Sequence, residues 1–248
     1  MRKVSSLLSL LGAAGLALSA APALANDGDH GLDRDGGHAC DDGKTCRGKG
    51  HDDHGQGHGY GHDHGGGDDP APFEIERPGS DRGAFILQIG EENQAAIVQS
   101  SSTQYALIAQ AGPDNQAEVT QAGTGAHYAL VGQAGWDNRL ELAQSGTGPQ
   151  VAFLNQRGAW NEMAIAQQGG SVGSGVAATQ LGYDNEMSLT QSGNDNQAVM
   201  VQLGSNNEMD ATQTGGNNQL SWTQIGDRLS HVQVNQDGGR AMAITQSR

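Results

Sequence analysis

Residues Gln191–Gln202 read QSGNDNQAVMVQ, and residues Gln202–Gln213 read QLGSNNEMDATQ. The chain returns to Gln, to Gly two places on, to Asn three further, and to Gln again after 11 residues. Outward from this pair, the Gln marks fall at Gln88, Gln99, Gln110, Gln121, Gln133, Gln144, Gln156, Gln167, Gln180, Gln191, Gln202, Gln213 and Gln224. Asn235 and Gln246 continue the series. Of the fourteen intervals, eleven are 11 residues long and the others are 12, 12 and 13. A repeat this regular outranks a reading from local propensity.

An 11-residue period also suits three helical turns. Two features exclude a helix here. Each period carries a Gly, which costs about 1 kcal/mol in a helix interior, and Asp-Asn or Gly-Asn turn signals recur. The apolar residues alternate instead. Ala117, Leu140, Met163, Met187 and Met209 stand four places before a mark, and Val119, Leu142, Ile165 and Leu189 two places before. Steps of two put both columns and the Gln on one face of a strand. Turn glycines are expected at Gly90, Gly112, Gly135, Gly158, Gly182, Gly193, Gly204 and Gly215, followed by Asn.

The long intervals follow Gln121, Gln144 and Gln167, which open the fourth, sixth and eighth turns. Turns that stack on one side would share a tolerance for bulges, so two strand-turn units make one rung. The expected fold is all-β, a two-strand-per-rung parallel β-solenoid of seven rungs and one extra strand over residues 84–248. At about 4.8 Å per layer, its height is roughly 35 Å.

An inward Gln left alone would bury an unsatisfied amide at a cost of about 1–3 kcal/mol. Identical amides one layer apart can instead donate and accept along the stacking axis. The same logic covers Asn93, Asn115, Asn138, Asn161, Asn185 and Asn207, with Asn196 and Asn218 in other turns. The competing reading of Asn is a residue suited to left-handed turn positions. Asp114, Asp137, Asp184 and Asp195 lie near the turns. They act either as like charges that slow premature assembly or as ordinary turn formers.

Residues 1–25 read as a secretory signal peptide, with Arg2-Lys3, an apolar run and Ala23-Leu24-Ala25; the run is too short for a membrane span. Residues 26–69 form a His/Asp/Gly-rich tail of disordered composition, and 70–83 a linker with Pro70, Pro72 and Pro78. The net charge of -15 argues against a nucleic-acid partner, which calls for a basic face. His51, His54, His58, His62 and His64 could ligate Zn, Cu or Ni. Their spacing matches no closed zinc site, so binding would be weak, and a solvated linker is the plainer reading. For Cys40 and Cys46 a disulfide and metal ligation both stay open. No cofactor is expected.

Repeats of the form Q-x-G-x-x-N-x-A-x-x-x-Q resemble those of curlin, the subunit of bacterial curli fibres. Gln88 to Gln99 and Gln110 to Gln121 fit at every specified position. The resemblance covers residues 84–248. It implies a secreted, self-assembling functional amyloid of the biofilm matrix that polymerises outside the cell into adhesive fibres. It also implies two partners besides other copies of the chain, a nucleator subunit and an outer-membrane secretion pore. Three features depart from the family pattern: more rungs, frequent Leu or Met in place of the repeat Ala, and a long His-rich tail. Major subunit and nucleator both stay open, as does a monomeric solenoid acting as an adhesin or metal-sequestering protein. An enzyme is not expected, since His127 and His231, the only histidines in the repeats, belong to no nucleophile–base set.

Overall fold

A computed structural model describes residues 73–248. The alternating apolar columns give fifteen strands in chain order: β1 (Gly83–Ile89), β2 (Gln94–Gln99), β3 (Tyr105–Ala111), β4 (Gln116–Ala122), β5 (Tyr128–Trp136), β6 (Arg139–Gly146), β7 (Gln150–Ala159), β8 (Glu162–Gly169), β9 (Ser174–Tyr183), β10 (Glu186–Asn194), β11 (Gln197–Ser205), β12 (Glu208–Gly216), β13 (Gln219–Ile225), β14 (Val232–Asp237) and β15 (Ala241–Ser247). The eight odd strands form one parallel sheet and the seven even strands a second, each in strict chain order. Two strands therefore make one rung, and the solenoid has seven rungs and one further strand. The signal-peptide, tail, His and Cys expectations fall on residues 1–72, outside the described residues.

Register is kept by the columns. Met163, Met187 and Met209 stand opposite one another in the even sheet, and Ala129, Ala152 and Val176 in the odd sheet. The inward columns of both sheets meet in one core of Ala, Val, Ile, Leu and Met with Trp222, whose side chain is wholly buried. The outward faces differ. The even sheet carries Glu162, Glu186 and Glu208 stacked in register between Arg139 and the turn residue His231. The odd sheet carries Phe85, Leu107, Leu130 and Phe153 in one outward column.

The register differs from the Gln series at one place. Gln236, not Asn235, stands opposite Gln213, while Asn235 faces Thr212 and is exposed. The loop after Gln224 is one residue longer and the next one shorter, so two compensating irregularities imitate a regular spacing.

Ahead of β1, residues 73–82 form no strand and lie along the edge made by the even turns. The Phe73 N–H donates to Gln219 Oε1 at 3.3 Å and the Ile75 N–H to Gln197 Oε1 at 3.0 Å. Ile75 sits so close over Gly175 that a Cβ there would collide with it. Arg77 Nη1 donates to the carbonyls of Thr103 and Ala126, and its guanidinium lies 5.5 Å from the Tyr128 ring centre. Tyr128 stacks on Tyr105 at 4.8 Å; burial first, then the neighbouring Tyr105 and Asp81, push its phenol up to about 12. The segment thus runs from the level of β13 back to β1, against the direction in which the rungs accumulate.

Candidate functional site

Each strand carries, at or near its end, a Gln whose side chain turns inward at the corner of the rung. In the odd sheet, Nε2 of Gln88, Gln110, Gln133, Gln156, Gln180, Gln202 and Gln224 donates to Oε1 of the next Gln in the column, at 2.6–3.0 Å, ending at Gln246. In the even sheet, Gln99, Gln121, Gln144, Gln167, Gln191 and Gln213 do the same, ending at Gln236, at 2.7–2.9 Å. Every amide points the same way along the axis. All but Gln88 also tie a corner: Gln133 Nε2 donates to the Gln116 and Asn138 carbonyls, at 2.9 and 3.1 Å. The buried amides thus satisfy backbone groups that the chain reversal would leave orphaned.

The turns after the odd strands are built from Gly and Asn together. Asn138 Nδ2 donates to the Gly158 carbonyl of the next turn at 3.0 Å, while Asn138 Oδ1 accepts from the Asn161 N–H at 3.3 Å and from Asn161 Nδ2 at 2.9 Å. Asn93, Asn115, Asn161, Asn185 and Asn207 each donate to the Gly carbonyl one layer on, at 2.7–2.9 Å. At Leu229, which fills the next Asn position, only the backbone N–H remains to meet Asn207 Oδ1, at 3.0 Å. Gly158 is needed twice over. Its φ of 117° is foreign to L side chains, and a Cβ would run into the Gly182 carbonyl. The other expected turn glycines, Gly90, Gly112, Gly135, Gly182, Gly193, Gly204 and Gly215, also have positive φ, from 80° to 129°.

The left-handed residue in these turns is not the Asn but the one before it. Asp114, Asp137 and Asp184, and likewise Asp195 in a turn after an even strand, have φ between 53° and 58°. That placement favours the turn-former reading of these aspartates, since Asp and Asn tolerate this conformation best among non-glycine residues.

The turns after the even strands fill the Asn position with whatever is polar and fits. Gln104, His127, Gln150, Ser174, Asn196 and Asn218 occupy it in turn, all buried. Asn218 Nδ2 donates to Asn196 Oδ1 at 2.9 Å, as on the other edge. His127 bonds the Ala122 carbonyl through Nε2 at 2.9 Å, and its Nδ1 accepts the Gln150 N–H at 3.2 Å. Burial holds its pKa below the usual imidazole value, with the Ala122 bond working against that shift. The side chain of Gln150 finds no partner for either Nε2 or Oε1. Sequence reasoning placed Asn196 and Asn218 in this column but missed Gln104, His127, Gln150 and Ser174, and also Gln236; counting five to seven residues on from each even-strand Gln would have found the four.

Among the described residues no group of three or more His, Cys, Asp or Glu is arranged to hold a metal, and no helix is long and apolar enough to cross a membrane. The two repeat histidines serve the fold: His127 as above, and His231 by pairing its Nδ1 with Glu208 at 2.7 Å.

Parallel strands coiled two to a layer and pinned by buried amide ladders define a structural solenoid repeat protein. The chain carries curlin repeats: the family model of the curlin associated repeat matches residues 90–123 and 182–215. In both stretches the Gln marks stand 11 apart, whereas the long even turns lie between them. No curated protein and no solved structure matches the chain. The repeat family and the fold together support a curli-like structural subunit.

Proposed function

We propose that the chain is a secreted major subunit that joins head-to-tail into extracellular curli-like amyloid fibres, serving the biofilm matrix and surface adhesion. The observation that carries this reading is the common direction of the two Gln ladders. Among the described residues, the layer of β1 presents Oε1 of Gln88 and Gln99 with no donor behind it, and the β14–β15 end presents the amides of Gln236 and Gln246 with no next-layer Oε1 ahead. In β1, Ile86 is 48% exposed, whereas its in-register neighbour Ile108 is fully buried. Exposed core positions and unpaired strand edges are templates for another strand. A head-to-tail contact sets acceptors against donors and continues both ladders; a head-to-head contact sets acceptors against acceptors. A heterologous contact that does not close gives a filament. In this reading the nucleator and the outer-membrane pore act in the start and the export of assembly, and transit runs through the periplasm.

Incubating the mature chain alone tests the reading. Fibres in electron micrographs, thioflavin binding, a lag removed by seeds and a 4.7–4.8 Å meridional reflection are expected. A soluble monomer that persists for days at tens of micromolar overturns it in favour of a monomeric binding module. Fibres that form only after a second subunit is added reassign the chain's place in the fibre.

A further inference from the structure

Trp160 breaks the rule of its column. The residue before the turn Asn is Glu92, Asp114, Asp137, Trp160, Asp184 and Asn206 in successive odd turns, all with φ between 53° and 58°. A bulky ring in the left-handed region is strained, and burial does not offset the strain, because Trp160 is 56% exposed. Two more rings stand beside it. Trp136 and Tyr183 share one outward column two layers apart, with Ala159 between them, and are 40% and 48% exposed. Their ring centres are 6.2 Å apart, and Trp160 meets Trp136 edge-on at 6.0 Å. The small Ala159, completely buried, lets the rings close over it. Two of the three Trp residues of the chain and one Tyr are thus held at the surface over three consecutive layers, while the third, Trp222, is core.

We propose that Trp136, Trp160 and Tyr183 form a binding platform for an uncharged polysaccharide chain lying along the solenoid axis. Exposed aromatic rings offer apolar faces with polar edges, which suits the C–H faces of pyranose rings. The exposed carboxylates of Asp137 and Asp184 each follow a ring in sequence and accept hydrogen bonds from hydroxyls. They also repel anionic ligands, and the exposed Arg157 on the Trp160 rung opposes a cationic one. Ring centres 6.0 and 6.2 Å apart, drawn from three layers, match a linear chain of sugars better than a single sugar. The platform belongs to one subunit, so it stands whether or not subunits join into fibres.

The test uses the full mature chain, freshly desalted and again as fibres, with hydroxyethyl cellulose and dextran as uncharged probes and dextran sulfate as the anionic one. Affinity electrophoresis and tryptophan fluorescence read binding. Retardation by at least one uncharged glucan and none by dextran sulfate is expected. Trp160→Asp restores the residue type usual in that column. It should weaken glucan binding at least tenfold while the denaturant midpoint stays level or rises; Trp136→Ala with Tyr183→Ala should abolish binding. Unchanged glucan binding in these variants overturns the platform, as does a wild-type chain that no uncharged glucan retards. If the variants lose only lateral association between copies, the rings serve a protein contact and the proposal fails.

Discussion

The two edges of the solenoid do the same job by different means. On the odd edge, six turns from Gly90 to Asn207 have one length, one Gly position and one Asn ladder. On the even edge, turn length changes after Gln121, Gln144 and Gln167, and the buried position passes from Gln to His, Ser and Asn. Both edges keep perfect Gln ladders. The difference teaches that register is fixed by the Gln corners and by one Asn edge, and that the second edge is then free to vary. The family model matches the stretches where both edges are regular and falls silent between them.

The strongest way to break this asymmetry is to lengthen one turn. A glycine inserted between Pro113 and Asp114 would pull Asn115 away from Asn93 and from the Gly135 carbonyl. It should lower stability by about 3 kcal/mol or more, read as a denaturant midpoint. The same insertion between Thr147 and Gly148 on the even edge should cost under about 1 kcal/mol, since loop length enters only logarithmically. Equal losses at both edges would remove the distinction.

Single side chains give the next largest contrast. Asn138→Ala orphans the Gly158 carbonyl and the Asn161 N–H and should cost about 2–4 kcal/mol. Gln150→Leu deletes an amide that has no partner and should be neutral or stabilise by up to about 1 kcal/mol.

A smaller effect sharpens the even edge by pH. His127 is held neutral, so its folded pKa lies below its unfolded one. Its contribution is complete above the ordinary imidazole value of about 6.5 and is lost as pH falls below it. His127→Gln, the residue found at Gln104 and Gln150, should flatten the midpoint between pH 7 and 5. His231, whose pKa the Glu208 hydrogen bond raises, acts in the opposite sense: its contribution is present below that value and fades as pH rises. Smallest of all, Glu186→Gln on the even face removes a like charge stacked between Glu162 and Glu208. Burial and those neighbours raise the Glu186 pKa, and a gain of a few tenths of a kcal/mol is expected at neutral pH.

The fold was legible because its determinants are periodic. Alternation at Met163, Ile165 and Gln167 sets the inward face, and the placement of the long intervals on every second turn sets two strands per rung. The buried column of Gln104, His127, Gln150 and Ser174 was not legible, since that position selects for polarity and fit over residue type. Gln236 was hidden because spacings of 12 and 10 add up to two regular periods, with Asn235 standing where a Gln was due. Ring positions such as Trp160 show only once the left-handed residue of each turn is known. The segment 73–82 has no period, and it is held by the side chains of Gln219 and Gln197 and by the Thr103 and Ala126 carbonyls, all distant in sequence.

That segment also decides from which pole the described chain enters the solenoid. Because Phe73 is held by Gln219 and Arg77 by Thr103 and Ala126, the polypeptide enters the fold beside the thirteenth strand and travels back before its first strand begins. A fluorescent label placed at residue 73 itself would therefore report from beside the closing layers, at the opposite pole from the strand it precedes in sequence.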